Sequence, residues 1–201
     1  MSFHPKMAYD ATFHKSSRTL TESGEPFVYT AENRARFDEI VTRYPAEQRR
    51  SAVLPALYLV QHQQGYITAN AMRYVASLLG ITAADVEDVV SYYTMFFTKP
   101  VGTFVLSVCR TLSCALNGAE RVTAEIRDVL GIKPGETDAT GTFTLLEVEC
   151  LGACDRAPVI MINDAWQENQ RPEDVGRLLD DLRTRGEAAL TGCHHVVEGN
   201  R

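Results

Sequence analysis

Four of the five cysteines fall into two tight pairs, and this spacing constrains the chain more than any other feature. Cys109 and Cys114 enclose four residues, Cys150 and Cys154 enclose three, and thirty-five residues separate the pairs. The first thirty residues lack the unbroken apolar stretch of a secretory signal, so a reducing compartment is expected. In such a compartment clustered cysteines point to metal rather than to disulfides, and there is no Cys-x-x-Cys redox pair. Cys193 stands apart beside His194 and His195 and is read as structural or incidental.

The hydrophobic period divides the chain near Pro100. Before it the pattern is helical. Phe37, Ile40, Val41 and Tyr44 recur at helical spacing and stop at Pro45. A second helix is expected over Ser51–Gln64, ending at Gly65, with Pro55 tolerated only if the helix starts just before it. A third is expected from Thr68 to Gly80, burying Met72, Val75, Ala76 and Leu79. A fourth starts at a capping-box pair, Thr82 and Asp85, and turns Val86, Val89, Val90 and Tyr93 inward. Short connections between such helices predict a small antiparallel bundle over residues 30–98. The aromatic run Tyr92, Tyr93, Met95, Phe96 and Phe97 closes it and is read as packing between the domains.

Beyond Lys99-Pro100 the period changes to that of an α/β layer. Thr103–Val108 and Thr142–Val148 read as strands, with a helix over Leu116–Leu130 between them. Pro158–Asn163 and Ala165–Glu168 read as a hairpin holding Trp166, and a last helix starts at Arg171-Pro172. The order strand, helix, strand, strand pair, helix gives a mixed sheet over residues 99–190. Residues 1–29 and 191–201 are expected as tails.

Each cysteine pair follows a predicted strand, and loops at the ends of neighbouring strands lie close in space. The four sulfurs can therefore converge. Structural zinc usually takes tighter knuckles, although spacings up to four residues occur, so zinc remains the alternative. A binuclear iron–sulfur core is larger, and each of its irons takes two thiolates, which suits the wider loops. Gly152 is expected to let its loop aim N–H groups at sulfur, and Gly118 to do the same for the first loop. Arg110 and Arg156 lie beside ligand positions, where a cation would favour a reduced centre.

Three stretches carry a family resemblance. YYTMFFTKPVG (92–102), VCRTLSCALNG (108–118) and ECLGACDRAPVIMIND (149–164) resemble the thioredoxin-like [2Fe–2S] subunit of NADH dehydrogenases. That subunit is the small partner of the flavoprotein in the electron-input module of respiratory complex I. RYPAEQRRSAVLPALYLVQHQQGYIT (43–68) is similar to the helical part of the same family, so the likeness covers roughly residues 33–185. It implies a helical domain followed by a thioredoxin-like ferredoxin domain. It also implies one [2Fe–2S] cluster with Cys109, Cys114, Cys150 and Cys154 as its ligands. The implied partners are an FMN- and NADH-binding flavoprotein subunit and further complex I subunits. No GxGxxG or other nucleotide cradle occurs here, so FMN and NADH belong to the partner. The same motifs occur in soluble NAD-linked hydrogenases and formate dehydrogenases.

Composition bounds the remaining choices. A net charge of −6 and a pI near 5.4 argue against a nucleic-acid partner. No run of roughly eighteen apolar residues is present to span a bilayer. Asp10, Glu22 and Glu25 are unlike an organellar transit peptide, so a cytoplasmic subunit, peripheral to the membrane through its complex, is expected. The competing functions are a free-standing ferredoxin and a zinc-stabilised interaction module.

Overall fold

A computed structural model describes residues 26–190 of the chain. The expected C-terminal tail with Cys193, and most of the expected N-terminal tail, lie outside the described residues. The chain divides into two compact units, residues 1–100 and 101–201.

The described part of the first unit holds four helices, α1 (Ala31–Thr42), α2 (Val53–Gln64), α3 (Ala69–Leu79) and α4 (Ala83–Tyr92). Three of them start on a threonine whose hydroxyl accepts a backbone N–H of the first turn: Thr30 from Asn33, Thr68 from Ala71 and Thr82 from Asp85. The Asp85 carboxylate returns the bond to the Thr82 N–H, completing the box that the sequence announces. Pro55 sits in the first turn of α2, where its missing N–H costs no helical bond. The stretch before α2 is a 3-10 turn over Ala46–Ala52, so α2 starts two residues later than the periodicity predicts.

Phe37, Leu57, Leu59, Ile67, Met72, Val75, Val86 and Val90 meet in one buried core. Phe96 is wholly buried in that same core, whereas Tyr92 and Met95 are exposed. The aromatic run thus splits, with Phe96 committed to its own unit. The helical unit also begins before residue 30. Tyr29 is buried and its hydroxyl donates to the Ala56 carbonyl at 2.7 Å, with Phe27 packed alongside. The periodicity argument misses these residues because they join the core as an extended segment without a repeat.

The second unit is built on four strands, β1 (Phe104–Cys109), β2 (Phe143–Val148), β3 (Ile160–Ile162) and β4 (Ala165–Gln167). Their order across the sheet is β2-β1-β3-β4. β1 and β2 run parallel, in register from Phe104–Phe143 to Cys109–Val148, and β3 is antiparallel to both β1 and β4. A parallel neighbour needs a crossover, supplied by α5 (Leu112–Leu116) and α6 (Ala119–Leu130). α6 packs on β1 and β2 and beside α7 (Pro172–Arg185). Leu106, Val122, Ile126, Phe143, Leu145, Ile160, Leu179 and Leu182 fill the core between sheet and helices. The expected mixed sheet after a helical bundle is the architecture found.

The helix predicted over Leu116–Leu130 is instead two helices. Gly118 takes a left-handed φ of 94°, which an α-helix does not allow, and α6 starts after it. The first helix, α5, begins earlier and carries Cys114.

At the far end of β1, Gly102 lies against the backbone of β2. A Cβ there would stand 2.8 Å from the carbonyl carbon and nitrogen of Phe143 and 2.9 Å from the Thr142 carbonyl carbon. Backbone cannot rotate aside as a side-chain tip can. Gly102→Ala is expected to destabilise this unit by about 2 kcal/mol, through overpacking against a paired strand. Chemical denaturation that shows less than about 0.5 kcal/mol would mean that the strands separate there freely.

Candidate metal centre

Register explains why the cysteines meet. β1 and β2 end together, Cys109 being the last residue of β1 opposite Val148. Cys150 follows two residues beyond that end, so both chains leave the sheet at one edge. The backbone keeps the turn tight: the Cys109 N–H donates to the Val159 carbonyl at 3.1 Å, and the Arg110 N–H to the Val148 carbonyl at 3.0 Å. Cys109 therefore belongs to the strand itself, not to the loop beyond it.

The two pairs differ in exposure. Cys109 and Cys114 are buried, while Cys150 and Cys154 are exposed. Cys114 lies in α5, which packs against α6 and the turn Cys154–Arg156, and it joins the core of the second unit. The second loop, 150–154, bends at Gly152 with a φ of 83° and ends in a 3-10 turn from Cys154 to Arg156. The Gly152 N–H donates to Cys150 Sγ at 3.4 Å, the role expected of it. Gly118 does not share that role. Its N–H is spent on the Ala115 carbonyl at 3.1 Å, because the residue serves as the break between α5 and α6.

Cys150 Sγ and Cys154 Sγ are 3.4 Å apart. Two thiolates on one tetrahedral metal, with bonds of about 2.3 Å, stand about 3.8 Å apart. The pair needs only a small spread to share an ion. Cys109 and Cys114, both buried, form the other couple, each acting on the other's proton affinity. Two couples of thiols are what a binuclear core, with two thiolates on each iron, takes as donors. Among the described residues no three His, Cys, Asp or Glu side chains are gathered around a single-ion position.

Proton affinities follow the pairing. Burial pushes the Cys114 thiol up to about 11, and its bond to Cys109 adds to the rise. Burial also opposes ionisation of Cys109, but the Thr111 hydroxyl and the N–H groups of Thr111 and Leu151 outweigh it and hold that thiol below its usual range. The Gly152 N–H, then Cys154 and Thr111, lower Cys150, while the bond from Cys150 raises Cys154. Each pair therefore contains one thiol that ionises readily and one that holds its proton. Metal binding has to displace the second proton, which couples loading to pH.

Both arginines beside the cysteines are engaged by carboxylates. Arg110 meets Glu149 at 3.0 Å, and Arg156 meets Glu168 at 2.8 Å and Asp155 at 3.6 Å. The expected cationic effect on a reduced centre is offset by these partners. Arg156 instead ties the second cysteine loop to the residue following β4, and the Asn169 N–H adds a bond to the Arg156 carbonyl at 2.8 Å. Trp166 lies in β4 opposite Met161 and packs on the core of this unit, as a hairpin residue should.

The thioredoxin-like [2Fe–2S] ferredoxin family matches residues 37–183, across both units. The chain belongs to that family. Among its family relatives, an NADH-quinone oxidoreductase subunit of Mycobacterium tuberculosis is 40% identical over 165 residues, 80% of this chain. The chain spans 65% of the length of that relative. The protein of the same name from Rickettsia bellii is 39% identical over 158 residues, covering 78% of this chain and 95% of the relative. An NAD+-reducing [NiFe]-hydrogenase in its air-oxidised state superposes with a TM-score of 0.59 at 16% identity, over 67% of this chain and 23% of that one. That likeness is one of fold alone.

One residue that sequence reading passes over also stands at the cysteines. Thr111 lies inside the first cysteine loop, and its hydroxyl is 3.2 Å from Cys109 Sγ. Its signal in the sequence is a hydroxyl residue two positions after the first cysteine.

Proposed function

We propose that the chain holds one [2Fe–2S] cluster on Cys109, Cys114, Cys150 and Cys154 and serves as an electron-transfer subunit of an NADH:quinone oxidoreductase. The observation that supports this most directly is the pairing of four thiols at the shared end of two parallel strands. When bound, the cluster accepts and returns a single electron. The protein's part is to fix the thiolates, exclude water from the Cys109–Cys114 side and leave the Cys150–Cys154 side open. Electron exchange with a partner is easiest through that open side, where little protein intervenes.

The partner that supplies electrons is read as a flavoprotein subunit carrying FMN and NADH, by analogy with the NADH-quinone oxidoreductase relatives. The chain then acts as part of an oxidoreductase without oxidising NADH itself. No helix among the described residues is long and apolar enough to cross a membrane. Attachment to the cytoplasmic face of the membrane would accordingly run through neighbouring subunits of the complex.

Native purification tests the reading. A brown protein with iron and acid-labile sulfide in [2Fe–2S] proportion, copurifying with an FMN-containing subunit, is the expected result. A brown monomer free of flavoprotein would replace the complex by a diffusing ferredoxin. A colourless protein holding zinc would overturn the iron–sulfur reading itself.

A further inference from the structure

Thr111 occupies the N-cap position of α5, where a threonine ordinarily turns its hydroxyl onto N–H groups of the first turn. Thr30, Thr68 and Thr82 all do so at the heads of their helices. Thr111 does not: its side chain makes no capping bond. The hydroxyl oxygen stands 3.2 Å from Cys109 Sγ instead.

We propose that the Thr111 hydroxyl donates a hydrogen bond to Cys109 Sγ and thereby raises the reduction potential of the centre. This rests on the ligand assignment above. A ligating cysteine is a thiolate and can only accept, so the threonine proton has to be directed at sulfur. Reduction adds one negative charge to the thiolate-bound centre, and a donor fixed beside sulfur stabilises the more negative state more strongly. The electron comes from an external one-electron donor. The hydroxyl keeps its proton throughout, and no bond is made or broken in the protein.

The test is a redox titration of the full-length protein loaded with cluster, followed by electron paramagnetic resonance, for wild type, Thr111→Val and Thr111→Ser. Valine keeps the β-branch and removes the hydroxyl, and no cap bond is lost with it. Thr111→Val is expected to hold a full complement of cluster and to be about tenfold harder to reduce, which for one electron is about 59 mV. Thr111→Ser should stay within about twofold of wild type, since it keeps the donor. An unchanged potential in Thr111→Val, or an equal shift in Thr111→Ser, would overturn the proposal by assigning Thr111 to packing. Should Thr111→Val fail to hold the cluster, Thr111→Ser decides: normal content and potential support the hydroxyl, and loss refutes it. A wild-type chain that takes up no iron sinks the ligand assignment, a result distinct from either of these.

Discussion

Cys150→Ala is expected to empty the centre while leaving the polypeptide folded. Cys150 is exposed and lies outside the buried core, and its sulfur meets Cys154 Sγ and the Gly152 N–H. Removing such a side chain changes the stability of the metal-free protein by no more than about 0.5 kcal/mol. Its effect on the cluster is of another order. An iron left with one protein thiolate is open to water and exchange, so iron and sulfide content should fall at least about tenfold below wild type, since loss of a mere supporting partner already costs roughly 10- to 100-fold in metal affinity.

Cys114→Ala should lose the cluster equally but for a chain that is also less stable. Cys114 is buried in the core of the second unit, and truncating it opens a small void worth about 1 kcal/mol. The pair of variants separates coordination from packing. Full cluster content in either one would remove that cysteine from the ligand set. Cys193, outside the described residues, supplies the control, since Cys193→Ala should leave content unchanged.

The second large effect is on stability. Phe143 opens β2 and is wholly buried, with the Phe104 ring 5.8 Å away and the Arg183 guanidinium 5.3 Å over its face. Phe143→Ala should cost about 3–5 kcal/mol, combining lost burial with a cavity that two paired strands cannot collapse to fill. For a domain of this size that corresponds to a fall of roughly 15–30 °C in the midpoint of its thermal transition. Calorimetry of the metal-free full-length protein measures it. A shift below about 4 °C would show that Arg183 and the helix beneath it close over the gap.

The consequence for function is indirect but physical. Phe143 lies at the opposite end of β2 from the cysteines, and the β1–β2 register that it anchors places Cys150 beside Cys109. Loosening that register should weaken cluster retention without touching a ligand.

Much of this molecule is legible in one dimension. Helix starts at Thr30, Thr68 and Thr82 are written in the side chains that cap them, because an N-cap is an interaction across three residues. Strand against helix is likewise decided within a few residues by the period of burial, so the switch near Pro100 marks the change of architecture. The cysteines announce themselves by type and spacing, and the motifs around them suffice to point to the family. Where local reading slips, the cause is also local. It assigns Gly118 to the sulfurs, yet that residue is needed to end one helix and begin the next. It leaves Phe27 and Tyr29 in a tail, because an extended segment has no period to detect.

What the four cysteines do for one another was decided only by the tertiary structure. Their spacing of thirty-five residues says nothing about distance until β1 and β2 pair in parallel and end at the same edge. Cys109 and Cys114 end up buried while Cys150 and Cys154 stay exposed, a difference that their spacing does not announce. The fold also sets Glu149 beside Arg110 and Glu168 beside Arg156, carboxylates that blunt their charge. Residue type and spacing fix which groups can bind iron. Solvent exposure, hydrogen-bond donors and compensating charges, which tune such a centre, come from chain segments that meet only when the sheet closes.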